Sequence, residues 1–462
     1  MMDIIFRLCV GLLVWLAAMT GTTYNEINVI IFCVIWPLFT LGLVALCLVQ
    51  RAQIRRLRRL ALPDRKGEGE KMNHVRPAVT KAMTICMRLL IWLAYAAFAM
   101  AVAPVSAWVL WHAVTWVGTC LSLLGLVTVI LPLVWRRLGT THSRRLCLRW
   151  GTLIFYVTVL ALIGFQVPSG RPRPESPIQH RFSKGPIPFP QYSPFNVIPE
   201  SEQFNMGFLV MPFLDSEFTF AQAGQVSGPT RALYREMEAD PDCHALGSAM
   251  VWAYPELWGE SPDVGHYYLY VPKHRQPGPI PAMVFLHGSL GNFKPYTWIL
   301  SHLAEKHGMV IISPSFGMGN WHLPESRQVV ERALEDAARV TEIDRSRVYL
   351  AGISNGGLGV SQVADALPDR FCGLIFISAV FDREIAAPHF LKQWQGRPVL
   401  VLAGEKDERI PFSWTQEQAA LLKAGKVKVT VKSYPGEDHF LFFTHWKDLV
   451  ETMSTWMDSP AP

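Results

Sequence analysis

The apolar run Val348-Tyr349-Leu350-Ala351 leads directly into Gly352-Ile353-Ser354-Asn355-Gly356-Gly357, and helix-tolerant residues follow from Leu358 to Ala366. A β-branched and aromatic stretch, a Gly-x-Ser-x-Gly turn and a helical pattern read as strand, sharp turn and helix. In that setting a serine hydroxyl is held above a sheet edge, ready to attack a carbonyl. The glycines two places either side of Ser354 leave room for a strained turn. The helix after it aims its N-terminus at charge that develops near the hydroxyl.

Such a serine needs a base, an acid that orients the base, and donors for an oxyanion. Leu286-His287-Gly288-Ser289-Leu290-Gly291 follows an apolar strand and must bend sharply. Its backbone N–H groups, Ser289 among them, can face an oxyanion together with the N–H of Asn355. His287 reads as a brace for this bend rather than as the base. The loop Gly404-Glu405-Lys406-Asp407-Glu408-Arg409-Ile410-Pro411 offers three carboxylates for the acid: Glu405, Asp407 and Glu408. Gly436-Glu437-Asp438-His439-Phe440 follows the last strand and supplies His439 as base, with an ordinary surface histidine as the plain alternative.

The elements that must position these groups can be read from residue 267 onward. Strands are expected over 267–271, 282–286, 310–313, 374–378, 398–403 and 427–431, besides the one that leads to Ser354. The first two are joined by a Pro/Gly turn. Helices are expected over 298–306, 326–340, 413–423 and about 444–457. Short apolar strands alternating with helices predict a mostly parallel sheet covered on both faces, with chemistry at the carboxyl ends of the strands. Residues 316–322 and 381–394, rich in Trp, Phe and Met, follow other strand ends and read as substrate walls, a small lid, or local packing.

From about residue 265 to 457 the chain resembles the α/β-hydrolase superfamily. Within it, the chain is similar to the esterase group that includes poly(3-hydroxybutyrate) depolymerase-like and feruloyl-esterase-like enzymes. The resemblance is carried by His287-Gly288-x-x-Gly291, Gly352-x-Ser354-Asn355-Gly356-Gly357, Gly404-x-x-Asp407-x-x-Ile410-Pro411 and Asp438-His439, in the chain order Ser, Asp, His. It implies Asp407 as the acid, because the group carries it three residues past the glycine and before an aliphatic-Pro pair. It further implies a carboxylic ester as substrate and neither metal nor cofactor. Same-fold alternatives are a serine peptidase of the prolyl-oligopeptidase kind and an acyltransferase to a lipid or sugar hydroxyl. No propeller-sized domain precedes the catalytic part, which argues against the peptidase. A membrane receptor or scaffold that keeps the fold without catalysis is the non-enzyme alternative, and an intact triad argues against it.

The first third has no counterpart in the usual soluble members. Of the 462 residues 50% are hydrophobic, and that excess is crowded before residue 168. Apolar stretches over 4–19, 29–49, 83–102, 107–135 and 152–167, the third and fourth split near Pro104, predict five membrane spans. The first reads as an anchor rather than a signal peptide. Lys and Arg gather between 51 and 81 and again at Arg136, Arg137, Arg144, Arg145 and Arg149, while the alternate loops carry none. That alternation predicts a cytoplasmic N-terminus, with everything after residue 167 on the far side of a bacterial inner membrane, in the periplasm. The basic clusters, with a net charge of only +6, read as topology determinants rather than a nucleic-acid site. Charge within the spans is too scarce for an ion pathway.

The prolines of 168–199 read as an extended spacer. Residues 200–265 read as an N-terminal extension of the catalytic domain, with a strand at 208–211, a short helix at 230–238 and a turn at Asp240-Pro241-Asp242. The division is thus 1–167, 168–199 and 200–462. The eight cysteines follow no metal spacing. Only Cys243 and Cys372 lie in the C-terminal part, where they could pair outside the cytosol. Protein partners cannot be read from the chain.

Overall fold

Three long helices lead into the rest of the described chain: α1 (Val75–His112), α2 (Trp116–Leu138) and α3 (His142–Gln166). The computed structural model describes residues 75–138, 142–215, 217–275 and 277–459. The expected spans at 4–19 and 29–49 lie outside the described residues. The chain divides into two compact units, Met1–Ala99 and Met100–Pro462, and the second holds the end of α1 and everything after it. Met87–His112, Trp116–Arg137 and Leu146–Gln166 are long and apolar enough to cross a membrane. Side chains such as Leu133, Ile154, Val157 and Phe165 are exposed on them.

The break expected near Pro104 falls elsewhere. Pro104 lies inside α1, as apolar spans tolerate, and the chain turns at 113–115 instead. That turn is built by a side chain from far along the sequence. Glu202 Oε1 accepts the N–H groups of Val114 (2.9 Å) and Thr115 (2.8 Å) and the Thr115 hydroxyl (2.8 Å). A carboxylate at the start of α2 satisfies orphan donors and meets the positive end of the helix dipole. Only a glycine at 118 admits it: a Cβ there would lie 2.3 Å from Glu202 Cδ. α2 and α3 pack through Val117, Cys120, Leu124, Ile163 and Val167.

Beyond α3 the chain builds one eight-stranded sheet. Its strands are β1 (Ile178–Phe182), β2 (His266–Tyr270), β3 (Ile280–Leu286), β4 (Val310–Pro314), β5 (Ile343–Ile353), β6 (Gly373–Ile377), β7 (Pro398–Gly404) and β8 (Lys428–Tyr434). The order is β1-β2-β4-β3-β5-β6-β7-β8. Pairing is antiparallel from β1 to β4 and parallel from β4 to β8. The two strands expected to be joined by a Pro/Gly turn are therefore not neighbours. β3, apolar along almost its whole length, takes a central place between β4 and β5, where both faces are covered.

The spacer expected over 168–199 is corrected by β1. Its five residues contain no proline, so their N–H groups can pair with the sheet edge, and Ile178 is buried against β2. Asn196 pins the flanking turns by donating to the carbonyls of Pro168 (2.9 Å) and Gln191 (2.8 Å). The strand expected at 208–211 is also corrected, being part of α4 (Glu200–Leu214). Apolar residues occupy every side of that helix, so periodicity could not tell helix from strand. α5 (Phe220–Glu238) starts with a capping box between Thr219 and Gln222, and Asp240 caps α6 (Pro241–Leu246).

Alternation along the strands sends side chains into two layers. Met283, Phe285, Ala351 and Ile375 pack under α7 (Lys294–His307) and the final helix. Val284, Leu286, Leu350 and Phe376 pack under α8 (Ser326–Val340) and α9 (Gly356–Ala366). α10 (Phe412–Ala424) and α11 (Trp446–Asp458) complete the cover. Cys243 and Cys372 are both free thiols, so the pair considered from sequence does not form.

Candidate active site

β5 ends in the turn at Ser354, whose φ is 52°. The strain is held from both sides. Ser354 N–H extends the ladder to Ile377 O (3.1 Å), and Ser354 O accepts from Gly357 (3.0 Å) and Val380 (2.9 Å). A Cβ on Gly352 would lie 2.6 Å from Gly356 O, and one on Gly356 would lie 2.2 Å from Leu286 O. Both glycines are thus required by backbone approach, and α9 begins directly behind the serine.

The structure brings Ser354, His439 and Asp407 together. His439 Nε2 lies 2.9 Å from Ser354 Oγ, and His439 Nδ1 lies 2.9 Å from Asp407 Oδ2. Asp407 is buried, and its Oδ1 accepts the N–H groups of Arg409 (3.0 Å) and Ile410 (2.8 Å). The rival carboxylates are elsewhere. Glu405 accepts from Ser433 Oγ at 2.8 Å, and Glu408 is exposed. The loops after β7 and β8 are laced together: Glu405 and Lys406 donate to Tyr434 O and Glu437 O at 3.2 and 2.8 Å. A Cβ on Gly404 would collide with the carbonyls of Glu437 and Asp438 at 2.5 and 2.6 Å. Burial raises the Asp438 carboxyl above its usual range, and its Oδ1 accepts the Phe440 N–H at 2.8 Å.

The loop after β3 lies against the serine, since a Cβ on Gly288 would be 3.3 Å from Ser354 Cβ. Among the described residues, no group takes up the backbone N–H of Ser289 or Asn355. His287 is fully buried and far from a base's role. Its Nδ1 faces Gly288 O (2.8 Å), its Nε2 accepts the Phe316 N–H (3.1 Å), and burial pulls its pKa down to about 4. It stays neutral and braces the bend.

In residues 316–322 and 381–394 the aromatic side chains of Phe316, Trp321, Phe381, Phe390 and Trp394 are buried. Trp321 is buried and donates to His287 O at 2.8 Å, and Asn355 Nδ2 donates to Gly319 O at 2.6 Å. Phe381 stacks on Phe376 at 4.3 Å, and Trp394 stacks on Phe390 at 6.0 Å. Two supports escaped sequence reasoning. Glu256 accepts from Met318 N and Asn320 Nδ2, both at 2.8 Å, and so fixes the loop behind His287. The turn between α4 and α5 leans on the acid and histidine loops, with an Asp215–Arg409 ion pair and Phe218 5.3 Å from Phe440 between ring centroids. Neither support has a local spacing that could have flagged it. Among the described residues, no group of three or more His, Cys, Asp and Glu side chains could hold a metal ion.

Residues 267–451 match the dienelactone hydrolase family. Feruloyl esterase B of Thermothelomyces thermophilus is 29% identical over 140 residues, which cover 27% of this chain and 47% of that protein. The chain thus spans about half the length of the curated relative it matches. Est1E from Butyrivibrio proteoclasticus is 19% identical with a TM-score of 0.34, covering 42% of this chain and 92% of that one. A fluorophosphonate-binding serine hydrolase of Staphylococcus aureus is 16% identical with a TM-score of 0.36, covering 43% and 96%. By its own sheet order, its elbow at Ser354 and its covering helices, the region from β2 onward is an α/β-hydrolase-like domain.

Proposed function

We propose that this chain is a membrane-anchored serine hydrolase that cleaves carboxylic esters through an acyl-enzyme. The observation that carries the reading is the unbroken relay from Asp407 through His439 to Ser354, with both links at 2.9 Å. His439 Nε2 takes the proton of Ser354 Oγ as that oxygen attacks the ester carbonyl. Asp407 keeps the other ring proton on Nδ1 and stabilises the imidazolium that results. The N–H groups of Ser289 and Asn355 receive the tetrahedral oxyanion, and each such donor can matter by about 10²–10³ in rate. His439 then protonates the departing alkoxide, leaving an acyl-serine. Water, activated by the same nitrogen, releases the acid and restores Ser354. None of these steps calls on a metal or cofactor.

The three apolar helices support membrane anchoring. Arg136 and Arg137 close α2 at the end opposite the one that Glu202 caps, which favours an extracytoplasmic catalytic domain. Similarity to a feruloyl esterase supports an ester as the substrate class. The test is hydrolysis of p-nitrophenyl acetate and butyrate by the purified full chain in detergent. Turnover should fall to the uncatalysed background in Ser354→Ala. Equal turnover by that variant would contradict the proposal.

A further inference from the structure

We infer that the α4–α5 hairpin lies in the membrane interface and that the ester reaching Ser354 is borne by the bilayer, an acyl lipid ester rather than a free solute. The membrane half rests on α1 to α3 as membrane spans. The substrate half rests on the serine-hydrolase reading.

α4 begins on the membrane helices. Besides the Glu202 cap, Asn205 Nδ2 donates to His112 O (3.1 Å) and Asn205 O accepts the Trp108 indole N–H (3.3 Å). Trp108 lies one turn inside the apolar stretch that ends at His112. Helical side chains lean toward their own N-terminus, so Asn205 sits no higher than that last turn. From Met206 to Leu214 the helix then carries no charged or polar side chain. Phe213 and Leu214 are 68% and 74% exposed, and Phe220 across the turn is 56% exposed. Water is a poor solvent for such a cluster, whereas the headgroup–acyl boundary covers apolar helix faces of this kind. Trp111 and Trp116, 85% and 50% exposed beside the 113–115 turn, are the residues that favour that depth.

The same hairpin reaches the site. Asp215 pairs with Arg409, two residues past Asp407, and Phe218 packs on Phe440, the neighbour of His439. One helix of about 22 Å at 1.5 Å per residue therefore links the membrane helices to the rim of the candidate site. An ester held among lipids arrives at this rim already concentrated and oriented. A small soluble ester gains nothing from it.

The test uses the full chain in phosphatidylcholine vesicles. p-Benzoylphenylalanine placed at Phe213 should form phospholipid adducts on illumination, well above the same probe placed at Glu417, an exposed residue of α10. Adduct formation no greater than at Glu417 overturns the membrane half, whatever the catalytic outcome. For the substrate half, the double variant Phe213→Asp, Leu214→Asp is compared with wild type on vesicle-borne p-nitrophenyl palmitate and on soluble p-nitrophenyl butyrate. A loss of at least about tenfold on the palmitate, with the butyrate rate held within about twofold, is expected. Equal effects on both esters, or none on either, overturn it. If wild type cleaves neither ester, the hydrolase reading itself fails and takes the substrate half with it, while the photoadducts still decide where the hairpin lies.

Discussion

Asp407 shows how a single residue fixes the direction of the relay. Its Oδ1 is committed to two backbone N–H groups, which leaves Oδ2 for His439. In Asp407→Asn the amide oxygen must stay on the two N–H groups, so the NH₂ faces His439 Nδ1. The ring then carries its proton on Nε2, toward Ser354, and cannot accept another. The expected result is a loss of about 10⁴ in kcat with an unchanged melting temperature. A loss under about tenfold would show that Asp407 does not set the tautomer. Residue types alone left Glu405, Asp407 and Glu408 open, because three carboxylates in one loop differ only in where the backbone points them.

Glu200 makes the stability of the fold depend on pH. It is buried against Ser248 Oγ (2.6 Å) and Lys294 N–H (3.0 Å), and burial raises its pKa from 4.5 to about 7, against the pull of Lys294. The folded state therefore holds this proton more tightly than the unfolded one. Its contribution to stability is fully present below about pH 4.5 and is lost as pH rises toward 7. Thermal melts of Glu200→Gln should lack that share of the decline between these two values. A variant whose melting temperature tracks wild type in parallel across the window would contradict the assignment.

At the scale of elements, the joint between α1, α2 and α4 depends on Glu202. Its removal in Glu202→Ala leaves the Val114 and Thr115 N–H groups without their acceptor and takes from Asn205 Nδ2 one of its two, His112 O remaining. A cost of about 2–4 kcal/mol is expected, read as a lower melting temperature in detergent. No change would mean that the joint is held by packing alone. Elements were legible where pattern and length agreed. β3, β4, β6, β7 and the second half of β5, from Val348 on, are apolar runs bounded by turn residues, and α8 has one clean apolar face. α4 was misread because its apolar residues surround it. β1 was hidden because the prolines on either side of its five residues set the apparent character of the whole stretch. The turn at 113–115 could not be seen because its cap comes from residue 202.

For the whole molecule, the proposed function requires a membrane anchor that carries an extracytoplasmic hydrolase. An alkaline phosphatase fused after Asp458 in a bacterial host should be active, and one fused after Leu138 should be inactive. The reverse pattern would place the catalytic domain in the cytoplasm and contradict the orientation read from the arginines. The candidate site was largely visible in sequence because each of its parts follows a strand end in a fixed order. What joins the domain to the apolar helices was not visible, since it depends on contacts between residues 97 and 93 apart, Trp108 with Asn205 and His112 with Asn205.

An activated Ser354 is read out by fluorophosphonate labelling of the full chain in detergent, with Ser354→Ala and His439→Ala beside wild type. Labelling of wild type that is abolished in Ser354→Ala and strongly slowed in His439→Ala is the expected result. A folded wild-type chain that takes no label, or a label that survives in Ser354→Ala, would contradict an activated serine at the end of β5.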